Sequence, residues 1–297
     1  MKYPPAQKQK TGHSHKVVTR FIVTAAALLL VMTPSVFARG YFGGSSAESS
    51  SATGAYALGG STTVDPIIQL AIEGFRSKNP GYTISYDGVG SSNGVKGVLD
   101  GSYVLGGSSR ELKDAEEKAG VKKLAIARDG MAVVTHSSTG VENLSKEQVK
   151  DIFTGKITDW KEVGGLGGRI VVLTREESSG TRASFDELAL AKDSPTSSAL
   201  VVVSNGDMAL KLSTTPNSIG YIGLGYIGEL QSSAGPILID GYPATEEDIA
   251  AGSYPLARSL YMVYTGEPSA FGKMFTDYLL STEGQDYVAE AGFLPIQ

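Results

Sequence analysis

The chain is 297 residues long, 41% apolar and 19% charged, which is enough for two domains with separate cores and too apolar for a disordered polymer. Its 26 basic and 31 acidic residues leave a net charge of −5, so no broad attraction to nucleic acid or anionic lipid is expected, and any anion has to be held by local donors. The sequence has no cysteine, which excludes disulfides, thiolate nucleophiles, cysteine-ligated metal and a lipid-modified N-terminal cysteine.

At the N-terminus, Lys8, Lys10, Lys16 and Arg20 precede an apolar run over 21–32, and Val36-Phe37-Ala38 reads as a small-residue cleavage site. Residues 1–38 are therefore expected to form a signal peptide. The competing reading is an uncleaved anchor, because no charge falls between Phe21 and Ala38 and that span nears the lower limit for crossing a bilayer. Both readings put the body of the protein outside the cytoplasmic membrane. A Gly/Ser-rich linker over 39–55 follows.

The body opens with a strand at 56–58 and a small-residue loop at 59–63. A helix comes next, with Pro66 in its first turn and Ile68, Ala71, Ile72 and Phe75 at helical spacing. The plan repeats: a strand at 82–86, a loop at 88–94 and a short helix bearing Val95, Val98 and Leu99. A third strand at 103–105 reaches the loop 106–110 and a polar helix at 111–119. The extended segment 124–134 is expected to cross from a first domain into a second. A short amphipathic helix at 145–153 leads to the only tryptophan, Trp160, read as a packing anchor. Beyond it come a strand at 170–173, a helix at 182–191, a strand at 200–203 and a helix near 207–212. The run 219–223, a return strand at 260–264 and two C-terminal helices, 269–280 and 284–291, complete the chain. Those last helices are expected to pack back onto the first domain.

Strands that run repeatedly into Gly/Ser/Thr loops at helix starts indicate an α/β fold with largely parallel strands. Ligands of such sheets gather beyond the carboxyl ends of the strands. In Arg175-Glu176-Glu177-Ser178-Ser179-Gly180-Thr181, a guanidinium and hydroxyls meet the free amides at the positive end of a helix, which suits a small oxyanion. Taken alone, the same loop is explained equally well by Ser179 and Thr181 as caps and Arg175 as a surface ion-pair partner. With the three earlier loops it forms a donor-rich, almost acceptor-free set, and the set favours an anion site.

Catalytic constellations are sparse. His13 and His15 precede the apolar run, leaving His136 as the one histidine of the body, in the polar context Thr135-His136-Ser137-Ser138. That is too few for a multi-histidine zinc site and a poor setting for a Ser-His-Asp arrangement. No G-x-x-x-x-G-K-[ST] loop occurs, and the loop 88–94 misses the dinucleotide fingerprint by one residue. Of Glu176 and Glu177, one is expected to brace Arg175 and the other to be solvated. The sequence reads as a binder, not an enzyme, with no cofactor and no metal.

Six motifs carry a family resemblance: Gly60-Ser61-Thr62-Thr63-Val64-Asp65-Pro66, Gly88-Val89-Gly90-Ser91-Ser92, Ile152-Phe153-Thr154-Gly155-Lys156-Ile157-Thr158-Asp159-Trp160, the Arg175–Thr181 stretch (175–181), Gly220-Tyr221-Ile222-Gly223-Leu224-Gly225-Tyr226, and Ser281-Thr282-Glu283-Gly284-Gln285. In that order and spacing, across nearly all of 56–297, they resemble the phosphate-binding subunit of phosphate ABC importers. The resemblance implies a periplasmic-binding-protein-like fold of type II, two α/β lobes joined by two crossing strands and closing over one phosphate. Lobe 1 would be 56–130 plus 256–297, and lobe 2 would be 131–255. Carried over by position, Thr62, the Thr63 amide and Ser91 would bind phosphate from lobe 1, and Arg175, Ser179, the Gly180 amide and Thr181 from lobe 2. Glu177 matches the acid that ion-pairs with the arginine, while Ser61, Ser92 and Arg110 stand beside these positions. The implied partners are inorganic phosphate and an ABC permease, with no nucleic acid, a monomeric state, and membrane contact only through the N-terminal segment or the permease.

One position departs from the family pattern. Well-known members carry an aspartate where this chain has Ser109, and it accepts the proton of hydrogen phosphate, which disfavours fully ionised sulfate. Ser109 is counted among the ligand-binding residues by its position, but a hydroxyl can donate or accept, so it implies weaker discrimination or discrimination moved elsewhere. Arg110 is expected to add a donor or to pair with Glu111 or Asp114. Sulfate or another tetrahedral oxyanion is the alternative ligand, and an exported phosphate sensor or phosphatase on the same scaffold is the alternative role.

Overall fold

A computed structural model describes residues 54–296; the signal-peptide or anchor segment and nearly all of the linker lie outside the described residues. Gly54 and Ala55, expected in the linker, already belong to the first strand, β1 (Gly54–Gly60). It feeds α1 (Asp65–Lys78), where Pro66 sits at the helix start and Ile67, Ile68, Ala71, Ile72 and Phe75 form the buried stripe. Then come β2 (Tyr82–Asp87), α2 (Ser91–Asp100), β3 (Leu105–Ser108) and α3 (Asp114–Lys118). The helix expected over 111–119 is thus shorter, because the Glu116 carboxylate turns back to accept from the Lys113 amide at 2.8 Å and fixes the helix start there.

The long strand β4 (Val121–His136) leads to β5 (Asn143–Leu144), α4 (Lys146–Thr154), β6 (Val171–Arg175), α5 (Gly180–Leu188), β7 (Leu200–Val202) and α6 (Asn205–Thr214). Next are β8 (Ser218–Gly223), β9 (Ala234–Pro236), β10 (Leu238–Ile239) and α7 (Glu246–Ala251). The chain closes with β11 (Ala257–Thr265), α8 (Ala270–Leu279) and α9 (Thr282–Glu290).

One sheet threads the molecule in the order β2-β1-β3-β11-β4-β8-β6-β7, with β9 also paired to β4; β5 and β10 form a small parallel pair apart. The outer strands are parallel, β1 with β2 and β3, and β6 with β7 and β8. The middle is antiparallel, because β11 returns between β3 and β4. β4 belongs to both halves: it pairs with β11 as far as Gly130 and with β8 from Met131 onward. Each half therefore has the same plan. A first parallel strand (β1 or β6) lies between the second (β2 or β7) and third (β3 or β8), and a crossing strand follows the third.

Each half also has its own core. Phe75, Phe271, Phe275, Tyr56, Tyr82 and Tyr278 build an aromatic cluster on one side, into which α8, α9 and Phe293 pack. On the other, Phe153, Phe185 and Tyr221 meet, with Phe185 stacked on Tyr221 at 3.9 Å between ring centres. Trp160 is fully buried there and donates to the Asn217 carbonyl at 3.0 Å, as a packing anchor should.

On α5, burial pushes the Asp186 carboxyl up from 3.8 to about 6, only partly offset by Arg182 one turn earlier. Between those values the folded protein holds a proton that the unfolded chain has released, so this group's stabilisation is complete at low pH and is lost as pH rises through about 6. Asp186→Asn is expected to raise the melting temperature by about 2–4 °C at about pH 8 and to change it little at about pH 4, as read by thermal unfolding.

Candidate functional site

Parallel strands of each half end at the edge where the halves meet. Four helices, α1, α2, α5 and α6, begin there, and a helix start carries unsatisfied amides and a partial positive charge. Ser179 and Ser204 cap α5 and α6 through their hydroxyls, whereas α1 and α2 start at Val64 and Gly90 without a side-chain cap, so the Thr62, Thr63 and Ser91 hydroxyls do not serve as helix caps. What the fold adds is that turns distant in sequence bond to one another directly.

From the first lobe, Thr62 and Thr63 stand at the centre. Thr63 Oγ1 lies 2.9 Å from Thr181 Oγ1 of the second lobe. Asn205 Nδ2, at the start of α6, donates to Thr62 Oγ1 and Thr63 Oγ1, each at 3.0 Å. Tyr226 donates its hydroxyl proton to the Thr62 carbonyl. The Thr63 amide, expected to point to a ligand, instead donates to Ser61 Oγ at 3.1 Å and closes its own turn. Ser91, the first residue of α2, is fully buried; its Oγ accepts from the Ser109 amide at 3.1 Å and lies 3.4 Å from Ser109 Oγ. The Ser109 carbonyl accepts from Ser184 across the interface at 3.0 Å.

From the second lobe, Arg175 ends β6 with 1% of its side chain exposed. Its Nε donates to the Val202 carbonyl at 3.1 Å and its Nη2 to the Val203 carbonyl at 3.2 Å, so strand β7 grips one edge of the guanidinium. The same Nη2 reaches Thr62 Oγ1 at 3.4 Å. The carboxylate beside it is Glu176, at 3.0 Å and 3.1 Å, and not Glu177, which is exposed. This corrects the assignment by position: the residue directly after the strand folds back along the guanidinium, and the next one turns outward. Ser179 caps α5, accepting from the Arg182 amide at 3.1 Å, yet its own hydroxyl proton stays available, so capping and ligand binding are compatible. Gly180 is pressed against the first lobe. A Cβ there would stand 2.1 Å from Ser91 Oγ and 2.7 Å from Ser109 Oγ.

Arg110 pairs with neither Glu111 nor Asp114 through its carboxylate. It forms a two-pronged pair with Glu116 at 2.7 Å and 2.8 Å and donates to Ser92 Oγ at 3.2 Å. Ser92 in turn donates its amide to the Ser178 carbonyl of the other lobe at 3.0 Å. Arg110 thus steadies the α2 start from behind.

Three further residues join the site without having been singled out in the sequence. Asn205 lies in Val203-Ser204-Asn205-Gly206, a strand-to-helix turn of the same kind as the others, and it occupies in the second lobe the place of Ser91 in the first. Asp129 and Arg258 face each other across the two crossing strands, with the carboxylate fully buried and contacts of 2.9 Å and 2.7 Å. Burial pushes the Asp129 carboxyl up and the Arg258 guanidinium down; each holds the other charged. Arg258 also donates to the Ser109 carbonyl at 3.1 Å and to Thr63 Oγ1 at 3.3 Å.

The proton logic of this ring is directional. Thr62 Oγ1 faces nitrogen donors of Asn205 and Arg175, and Thr63 Oγ1 those of Asn205 and Arg258. Guanidinium and amide nitrogens only donate, so both threonine oxygens accept and their protons turn elsewhere. Two buried atoms of the ring have no hydrogen-bond partner among the described residues, Arg175 Nη1 and Asn205 Oδ1. Unpaired buried polar atoms are costly, and they mark where a small polar group is wanted. Since Arg175 is paired with Glu176 and Arg258 with Asp129, the site attracts anions through aimed donors more than through net charge.

Against known proteins, residues 45–283 match the family model of the PBP superfamily domain. The phosphate-binding protein PstS of Borreliella burgdorferi is 34% identical over 249 residues, 81% of this chain and 89% of that protein. The phosphate-binding protein PstS of Bacillus subtilis is 33% identical over 251 residues, 82% of each chain. Among solved structures, a Clostridium perfringens protein assigned as a phosphate ABC transporter substrate-binding protein, with phosphate bound, is 37% identical. It superposes with a TM-score of 0.77 over 82% of this chain and 100% of that one. The chain belongs to the PBP superfamily, in the family of the phosphate-binding proteins PstS.

Proposed function

We propose that this protein captures inorganic phosphate between its two lobes, outside the cytoplasmic membrane, and delivers it as a monomer to an ABC permease. The observation that carries the reading is Arg175 Nη1, a guanidinium nitrogen without a partner among the described residues, in a side chain with 1% exposure whose Nη2 reaches Thr62 of the first lobe. Thr62, Thr63 and Ser91 would offer hydroxyl protons from the first lobe. Arg175, Ser179, Thr181 and the Gly180 amide would act from the second, the last because the opening amides of a helix have no acceptor within it. Ser109 supports Ser91, Ser61 closes the Thr63 turn, and Arg110 with Ser92 holds the α2 start. The lobes are taken as 56–130 plus 256–297 and as 131–255. A dianion stripped of water needs many directed hydrogen bonds, and paired guanidiniums and hydroxyls provide them without fixing a salt.

Binding without turnover is the better reading. His136, the candidate base, accepts from the Ser138 amide at 3.1 Å, and the Ser138 hydroxyl is held by Asn217 at 3.1 Å, all at the β4 end beside β9. None of this triplet bonds to the Thr62–Arg175 ring.

Arg175→Ala is expected to weaken phosphate binding by about 2–5 kcal/mol, a fall of about thirtyfold or more in affinity by titration calorimetry; an unchanged affinity overturns the assignment. Gly180→Ala inserts a methyl group into the contact with Ser91 and Ser109. Phosphate affinity is expected to drop by about tenfold or more, with a much smaller change in the urea midpoint of the ligand-free protein.

A further inference from the structure

We propose that Asn205 reads the proton of the bound anion: its Oδ1 accepts the P–O–H hydrogen of monohydrogen phosphate, so an oxyanion without a proton, such as sulfate, binds less well. The proposal rests on the reading of the cleft as a phosphate site and names how that site chooses its ligand.

Asn205 is fully buried, and its Nδ2 is committed to Thr62 and Thr63, both at 3.0 Å. Its Oδ1 receives no hydrogen bond from the described residues. The two carboxylates beside the ring are occupied. Asp129 Oδ1 accepts from the Leu224 amide at 3.0 Å, and its Oδ2 from Arg258 at 2.9 Å and 2.7 Å. Glu176 spends both oxygens on Arg175 and one of them also on Ser178. The ring thus has one side-chain donor atom and one acceptor atom left over, Arg175 Nη1 and Asn205 Oδ1. Monohydrogen phosphate fits that pair, since it offers unprotonated oxygens to the guanidinium and one O–H to the amide. Sulfate offers oxygens alone, and would set a lone pair against the amide oxygen and leave it unpaired.

This answers the question raised by Ser109. The Ser109 hydroxyl lies 3.4 Å from Ser91 Oγ, in a position that can donate as well as accept. Asn205 enters from the opposite lobe, at the helix start equivalent to that of Ser91. An amide oxygen accepts as a carboxylate does, but it brings no charge into a ring whose two guanidiniums are already neutralised.

The test is competitive titration of phosphate against sulfate on the wild type, Asn205→Ala and Asn205→Asp, each checked for folding by thermal unfolding. The wild type is expected to prefer phosphate by about a hundredfold or more. In Asn205→Ala the preference should fall by about tenfold or more. In Asn205→Asp, which can still accept, phosphate should remain bound and sulfate should be rejected more strongly than by the wild type. A preference unmoved in both variants, or phosphate lost selectively from Asn205→Asp, overturns the proposal, the latter because it means the amide donates to the anion. A wild type that binds sulfate as tightly as phosphate also overturns it, while leaving the oxyanion site in place. If the wild type binds no phosphate at all, the phosphate reading itself falls and takes this inference with it.

Discussion

The guanidinium of Arg175 is the constraint on which the rest of the site depends. A buried cation is costly unless its protons find partners, and here the neighbours satisfy Nε and Nη2 and leave Nη1 without one among the described residues. Two carbonyls at the end of β7 take Nε and Nη2, Glu176 lies along the same edge, and Tyr221 accepts from the Arg175 amide at 3.2 Å. Tyr221 is itself fixed by stacking on Phe185 of α5. The second lobe's core therefore sets the direction in which Nη1 points, and the strand order β8-β6-β7 exists around that side chain as much as around the apolar cluster.

The first lobe meets it with hydroxyls instead of charge. Thr62 and Thr63 are kept as acceptors by the nitrogen donors of Asn205, Arg175 and Arg258, which leaves their own protons free to donate elsewhere. The second cation, Arg258, belongs to the crossing strand and not to either set of loops. Its register partner on β4 is Asp129, which neutralises it, while its remaining protons tie the Ser109 and Thr63 loops to the strands that join the lobes.

How much of this could be read from residues alone varied with how local the cause was. The turns at Thr62, Ser91 and Ser179 were legible because each joins a strand to a helix through Ser, Thr and Gly, a pattern written within a few residues. The α/β class with largely parallel strands followed from their repetition, and the two-lobed type from the family resemblance of the shared motifs. Asn205 carried the same local signal, a small polar residue and a glycine after a strand. It passed unnoticed because the helix was expected near 207–212, two residues beyond it, whereas α6 begins at Asn205 with Ser204 as its cap. The choice between Glu176 and Glu177 was decided by which neighbour folds back along the strand, a matter of geometry that adjacency in sequence leaves open. Asp129 and Arg258 were illegible for a stronger reason: 129 positions separate them, and only the register of two antiparallel strands makes them partners. The Arg110 to Glu116 pair was missed because the α3 helix starts late, which brings a carboxylate back over the turn.

The strand β4 changes partners between Gly130 and Met131, from β11 on one side to β8 on the other. Because the backbone is continuous through that change, twist applied there is transmitted as torsion and not as slip. Rotation of one half against the other about this point would leave every rung of each half's own ladder intact. Against such rotation stand the bonds across the interface, among them Thr63 with Thr181, Ser184 with Ser109, Tyr226 with Thr62 and the Ser92 amide with the Ser178 carbonyl. The elastic element of the molecule is thus separate from its cores. Evolution of the cleft can retune how stiffly the plates are sprung without touching how stably each is folded.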